Sequence, residues 1–152
     1  MRVILRSLFL LLFLLSTSLP SRAADKVATI DEQQLLQLEQ RAEQANPRDQ
    51  CFMYTELVSA MTDLAGRQMR SGDPDSALAT LQKVTKYAQL IRSSISRDAK
   101  RLKNAEKLMH DTTFKLNQYL HIASSEDQPS VQATLKQLNQ VQTELLTQVF
   151  SH

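Results

Sequence analysis

The stretch DSALATLQKVTKYAQLIRSSISRDAKRLKNAEKLMHDTTFKLNQYLHIA, residues 75–123, contains neither glycine nor proline. Apolar side chains recur in it at every seventh residue, in two interleaved series. The first series is Leu81, Ala88, Ile95, Leu102, Met109, Leu116 and Ala123. The second is Ala77, Val84, Ile91, Asp98, Ala105, Thr112 and Tyr119, with Asp98 its only charged member. A heptad repeat of this length is typical of one long helix in coiled-coil packing.

Helix-start and helix-stop signals divide the rest of the chain. Asn46-Pro47 supplies an N-cap followed by proline at the first helical position, and Ser71-Gly72 ends that helix. The segment SEDQP, 125–129, separates a last helix. These signals predict helices over 30–45, 47–71, 75–123 and 129–150. The predicted fold is a single all-α domain, 24–152, forming an elongated antiparallel bundle on one long central helix.

A second interpretation breaks the long helix. Three serines in the four residues 93–96 lower helix propensity, so the chain would turn near 93–97 and form a compact bundle of shorter helices. We favour the continuous helix because the heptad phase passes through the serines without a slip, whereas a turn would normally reset it.

The first 23 residues have the pattern of a signal peptide. Arg2 and Arg6 precede the apolar run LFLLLFLL, residues 8–15, and small residues flank a cut after Ala23. The run is too short for a bilayer span, which takes about 20 apolar residues. We therefore expect export to a periplasmic or extracellular location and a mature chain that does not span a membrane. The alternative is that the segment is not cleaved and remains as an N-terminal anchor.

Charge argues against nucleic acid as a partner. The chain carries 18 Lys+Arg against 16 Asp+Glu, but three of the basic residues lie in 1–23, so the mature chain has a net charge of −1. A basic cluster does remain at Arg97, Lys100, Arg101, Lys103 and Lys107. On the heptad it lies on the outward side of the helix. A solvated face is the first interpretation, and a patch for an anionic partner or membrane surface is the second.

The heptad stripe is longer than the remaining helices can cover. We therefore predict an apolar seam at Ile95, Leu102, Met109 and Leu116 that faces a protein partner or a second copy of the chain, giving a homo-oligomer. Cys51 is the only cysteine. It fits a buried inert thiol, or alternatively an intermolecular disulfide.

Residues for chemistry are sparse. The sequence has no nucleophile elbow, no phosphate-binding glycine loop and no His-Glu-x-x-His pattern. Glu106 and His110, four residues apart, make at most half a metal site. We therefore expect no enzyme activity, no cofactor and no metal, and predict an exported helical interaction or scaffold protein of the cell envelope. The alternatives are a ligand- or metal-binding helical bundle, or an envelope-surface binder that uses the basic face at 97–107.

One segment resembles a known repeat. LAGRQMRSGDPDSALATLQKV, residues 64–84, is similar to the turn of a tetratricopeptide repeat, with Leu64 and Ala65 in the first helix, Gly72-Asp73 in the loop, and Ala77 and Leu81 in the second helix. Gln68 stands where that repeat usually has an aromatic residue. The resemblance implies one helical hairpin, which a generic αα-hairpin explains equally well.

Overall fold

The computed structural model describes residues 32–151, and this part of the chain forms five α-helices with no strand. The helices are α1 (Glu32–Gln44), α2 (Pro47–Arg70), α3 (Pro74–Ser94), α4 (Leu102–Leu120) and α5 (Gln128–Phe150). The predicted all-α fold is confirmed. The predicted signal peptide, 1–23, lies outside the described residues, as does the predicted start of the first helix at residue 30.

The predicted helix starts agree closely with the observed ones. The side chain of Asn46 accepts a hydrogen bond from the Arg48 backbone N–H at 3.0 Å, ahead of Pro47 at the first helical position. Asp73 does the same for the Ser76 N–H at 3.2 Å, ahead of Pro74. These caps satisfy backbone donors that a helix start leaves unpaired, so the sequence signals fix where α2 and α3 begin.

The prediction of one continuous helix over 75–123 is wrong. α3 ends at Ser94, and residues 95–101 connect it to α4. The hydroxyls of Ser93 and Ser94 donate to carbonyls of the last turn, and Ile95 leaves the helix in extended backbone geometry. The break agrees with the second interpretation. It leaves the heptad phase unchanged because the connection is itself seven residues long.

The helices form two antiparallel hairpins, which we name hairpin 1 (α2 and α3) and hairpin 2 (α4 and α5). The hairpins stack so that α2 lies beside α4 and α3 lies beside α5. Lys115 near the end of α4 pairs with Asp63 late in α2, and Arg92 late in α3 pairs with Glu144 late in α5. α2 therefore runs parallel to α4, and α3 runs parallel to α5. The 95–101 connection joins α3 to α4, two helices that are not in contact.

The N-terminal helix α1 packs on the outside of hairpin 1. It contacts α2, buries Leu38 and Ala42, and accepts a hydrogen bond at Glu39 from Tyr87 of α3. The helix thus lies on the side of hairpin 1 away from hairpin 2. Within residues 32–151 the layer order is α1, then hairpin 1, then hairpin 2.

The core fills the space between the two hairpins. Its largest fully buried side chains come from α2 to α5 and are Leu57, Met61, Leu81, Tyr87, Ile91, Met109, Leu116, Leu138 and Leu145, together with Val58, Val84 and Val131. At Gly66 of α2 a Cβ atom would overlap the ring of Tyr119 in α4. Glycine is required there by space rather than by backbone conformation.

Candidate interaction surface

The predicted partner-facing seam is part of the core, and this prediction is wrong. Met109 and Leu116 are fully buried, Leu102 is buried, and Ile95 is partly buried against the same cluster. The seam assumed a rod with too few helices around it. Because the chain turns at 95–101, α4 instead packs between α2 and α5, and its apolar stripe is covered within one molecule.

The predicted basic face divides into two parts with different roles. Lys100 and Arg101, in the 95–101 connection, contact the start of α2. The Lys100 ammonium lies 3.6 Å from the Asp49 carboxylate, and the Arg101 guanidinium lies 3.5 Å from the ring centroid of Phe52. These contacts hold the crossover connection against hairpin 1.

Backbone hydrogen bonds strengthen the same docking. The Arg48 side chain donates from Nε to the Asp98 carbonyl at 2.9 Å, and the Lys100 N–H donates to the Arg48 carbonyl at 2.7 Å. Arg101 adopts a left-handed conformation, with φ of 61°, directly before α4. Lys100 and Arg101 therefore have a structural role in turning the chain.

The second part of the basic face is free of such contacts. Arg97, Lys103 and Lys107 are exposed, and none of them forms an ion pair with another residue between 32 and 151. Lys103 and Lys107 are one turn apart and share the outer side of α4. Of the five basic residues, these two are the ones exposed on a helix.

Cys51 is fully buried in α2. Burial raises the pKa of its thiol to about 11, while a hydrogen bond with Ser94 acts weakly in the opposite direction. A thiol that is both buried and protonated is a poor nucleophile. A disulfide between two chains through Cys51 would require the core to open.

Large exposed apolar side chains mark a different surface from the predicted seam. Phe114, Leu146 and Phe150 are 61 %, 42 % and 78 % exposed, and all three lie on hairpin 2. Ile122, in the connection between α4 and α5, is 52 % exposed. The one comparable residue elsewhere in the described chain is Leu36 on α1. Hairpin 2 thus carries most of the solvent-facing apolar area contributed by large side chains.

These residues border a groove between α4 and α5, which we name the outer groove. Its middle is lined by His110, Thr113, Phe114 and Asn117 of α4 and by Leu135, Asn139 and Gln142 of α5. By helical spacing, Lys103 and Lys107 continue the same side of α4, and Leu146 and Phe150 continue the same side of α5. In its middle is a cleft of about 310 Å³. Nε2 of Gln142 lies 3.0 Å from Nδ1 of His110, and Oε1 of Gln142 lies 3.0 Å from the Thr113 hydroxyl. The groove floor is therefore tied across the two helices.

No protein-family model matches this chain, and no curated protein and no solved structure matches it.

Two tyrosines of hairpin 1 lie beside α1. Tyr87 is buried in α3 and donates its hydroxyl to Glu39 of α1, and its ring stacks on Tyr54 of α2 at 5.9 Å between centroids. Burial and the neighbouring Glu39 carboxylate raise the pKa of Tyr87. Tyr87 thus supports hairpin 1 with its ring and holds the covering helix with its hydroxyl.

The structure gives no metal or membrane-spanning feature for residues 32–151. In that range no three His, Cys, Asp or Glu side chains are grouped as metal ligands. Glu106 and His110 are not joined, since His110 contacts Gln142 instead. Nor does any helix in that range combine the length and apolar character of a transmembrane span.

Sequence reasoning missed the outer groove because it followed the heptad stripe. The signal was present at Phe114, a large aromatic residue placed outside both heptad series, seven residues after Lys107 on the same side of α4. An aromatic residue at an outward position of an amphipathic helix indicates a contact surface. On α5, the aromatic Phe150 and the aliphatic Leu146 are likewise exposed.

Proposed function

We propose that this chain is an exported, non-catalytic helical interaction protein of the cell envelope that binds a protein partner through the outer groove of hairpin 2. The observation that supports it is the exposure of Phe114, Leu146 and Phe150 along one groove. A soluble domain gains about 1.5–3 kcal/mol for each such side chain that it removes from water. Several large apolar side chains exposed on one hairpin are a common property of binding sites.

Export is supported by the sequence pattern of 1–23. The measurement that tests it is the mass of the N-terminal peptide of the protein taken from its native host. We expect a chain that starts at Ala24 and is recovered from the envelope or the medium. A chain that retains Met1–Ala23 and stays in the cytoplasm would contradict this part of the proposal.

The interaction is tested by site-specific photo-crosslinking in the native host. A photoreactive residue at position 114 reports on the outer groove, and the same residue at Gln89, an exposed position on α3, is the matched control. We expect a discrete protein adduct from position 114 and none from position 89. Equal labelling at both positions, or none at either, would overturn the proposal. An adduct with a second copy would assign the groove to self-association.

A further inference from the structure

The two outward sides of the stack differ in whether a helix lies against them. On the outer side of hairpin 1, α1 packs on α2 and reaches α3 through the hydrogen bond between Tyr87 and Glu39. The outer groove between α4 and α5 lies at the opposite end of the layer order and has no helix of residues 32–151 over it. The fold therefore contains one example of a short helix packed on the outside of a hairpin.

The covering helix α1 is short, amphipathic and acidic. Leu38 and Ala42, four residues apart, are its buried positions. Its charged residues are Glu32, Glu39 and Glu43 against Arg41. The apolar stripe of α1 is buried, and the Glu39 carboxylate beside it accepts a hydrogen bond from the Tyr87 hydroxyl of hairpin 1.

The outer groove carries donors and positive charge in the corresponding places. Lys103, Lys107 and His110 follow one another along the α4 border, spaced by four and three residues, and Phe114 continues the same side. The two lysines have no acidic partner within ion-pair distance among the described residues. An acidic segment laid in the groove would supply carboxylates to both.

The groove floor favours a helix over a lipid surface. Asn117 and Asn139 are exposed amides that line the cleft beside Phe114 and Leu135, whereas the Gln142 amide is already bonded to His110 and Thr113. Inserting the two asparagine amides into hydrocarbon would leave their N–H and C=O groups unsatisfied, which costs several kcal/mol per group in apolar surroundings. Polar side chains of a docked helix satisfy them while its apolar stripe contacts Phe114 and Leu146.

We infer that the outer groove receives an acidic amphipathic helix from the partner protein, with carboxylates against Lys103 and Lys107 and an apolar stripe against Phe114 and Leu146. This inference rests on the proposed function and adds the chemistry of the partner. It assigns α1 and the partner helix equivalent positions at the two ends of the stack.

Two synthetic peptides of 18 residues test the charge requirement. Both carry leucine at one helical face, and the remaining positions are rich in glutamate in one peptide and in lysine in the other. Binding to the purified full chain is followed by fluorescence anisotropy at low and at moderate salt. We expect the acidic peptide to bind at least about 10-fold more tightly, with an affinity that falls as salt rises, because exposed ion pairs are screened.

Variants locate the site. Phe114→Ala should weaken the acidic peptide by about 10-fold or more, as truncation of a central aromatic anchor does. Lys103→Gln with Lys107→Gln should weaken it by about 3- to 10-fold and flatten its salt dependence. Leu36→Ala is the matched apolar control and Lys83→Gln, on α3, the matched charge control. Both residues are exposed on other faces and should change the affinity by less than about 2-fold.

The outcomes are separable. Equal affinity for the two peptides, failure of the acidic peptide to bind, or insensitivity to Phe114→Ala overturns the inference. Binding to vesicles of anionic phospholipid that depends on Lys103 and Lys107, with no peptide binding, overturns it in favour of a lipid surface. If a protein adduct forms from position 114 but survives the double lysine substitution, the proposed function stands and this inference fails. Circular dichroism of each variant confirms that it is folded.

Discussion

Hairpins 1 and 2 differ in how completely each is buried. α2 lies between α1, α3 and α4, and half of its residues are buried, including polar Thr55 and Thr62, whose hydroxyls bond to carbonyls one turn earlier. α5 contacts α3 and α4 and buries five residues. Position in the stack, rather than helix length or composition, accounts for this difference. Hairpin 2 is therefore the end of the stack that no other helix of residues 32–151 covers.

The largest expected effect on the free energy of unfolding is the difference between a core residue and a surface residue of α4. We expect Met109→Ala to lower the free energy of unfolding by about 2–5 kcal/mol, because it leaves a cavity between the hairpins, and Phe114→Ala to change it by no more than about 0.5 kcal/mol. Urea unfolding followed by circular dichroism measures both. A small effect at Met109, equal to that at Phe114, would return the heptad stripe to the surface and break the comparison.

Substitution at the contact between Gly66 of α2 and Tyr119 of α4 should lower the free energy of unfolding by nearly as much. Gly66→Val places branched carbons where the Tyr119 ring lies, and we expect a loss of about 1–3 kcal/mol from overpacking. The control is Gly72→Ala, where nothing lies near the added carbon but φ is 79°, so its cost is one of backbone strain. Combining Gly66→Val with Tyr119→Ala should recover part of the loss at Gly66, and Gly72→Ala should show no such rescue. Absence of rescue would mean that the hairpins are not held together at this point.

The hydrogen bond between Tyr87 and Glu39 leads to a prediction that depends on pH. Tyr87→Phe removes the hydrogen bond to Glu39, and we expect a loss of about 1–2 kcal/mol near neutral pH. Since the folded pKa of Tyr87 is raised above its usual value of 10.0, the wild-type hydroxyl contributes fully below pH 10 and less as pH rises beyond it. The difference between the two proteins should therefore be constant from about pH 6 to 9 and shrink above about pH 10.

Cys51 loses its protonated state in an overlapping alkaline range but is present in both proteins, so it does not affect that difference. A gap that widens above pH 10 would contradict the position of Glu39 over Tyr87. Hydrogen exchange of α1 amides supplies the local readout. It should accelerate in Tyr87→Phe while the amides of α5 are unchanged.

The sequence was sufficient for the helical elements whose ends carry local chemistry. Asn46-Pro47 and Asp73-Pro74 begin helices for reasons contained in a few neighbouring residues, and the structure places α2 and α3 there. The prediction of one long central helix was wrong because it rested on apolar residues recurring at every seventh position. A connection of seven residues restores a seven-residue period, so the phase carries no information on whether the chain turned.

The exposed apolar surface of hairpin 2 was not predictable from the seven-residue periodicity either. Whether Met109 faces a partner or the core depends on what α2 and α5 do, and that is a property of the whole stack. By contrast, the serines at 93–96 and the aromatic Phe114 at an outward position were visible signals. The local chemistry of the serines agrees with the observed turn, whereas the periodicity does not, and Phe114 was not used in the prediction.

The smallest expected effect tests the turn itself. Two glycines inserted between Ser96 and Arg97 lengthen the connection upstream of the contacts that Asp98, Lys100 and Arg101 make with α2. Loop-closure entropy grows slowly with length, so we expect a loss of no more than about 1 kcal/mol. The same insertion between Ala105 and Glu106 would rotate the buried face of α4 out of the core and should prevent cooperative unfolding. If 75–123 were instead one rod, the insertion at 96 would interrupt it and be as damaging as the insertion at 105. Equal damage at the two sites would therefore restore the continuous helix, and tolerance confined to 96 confirms the turn.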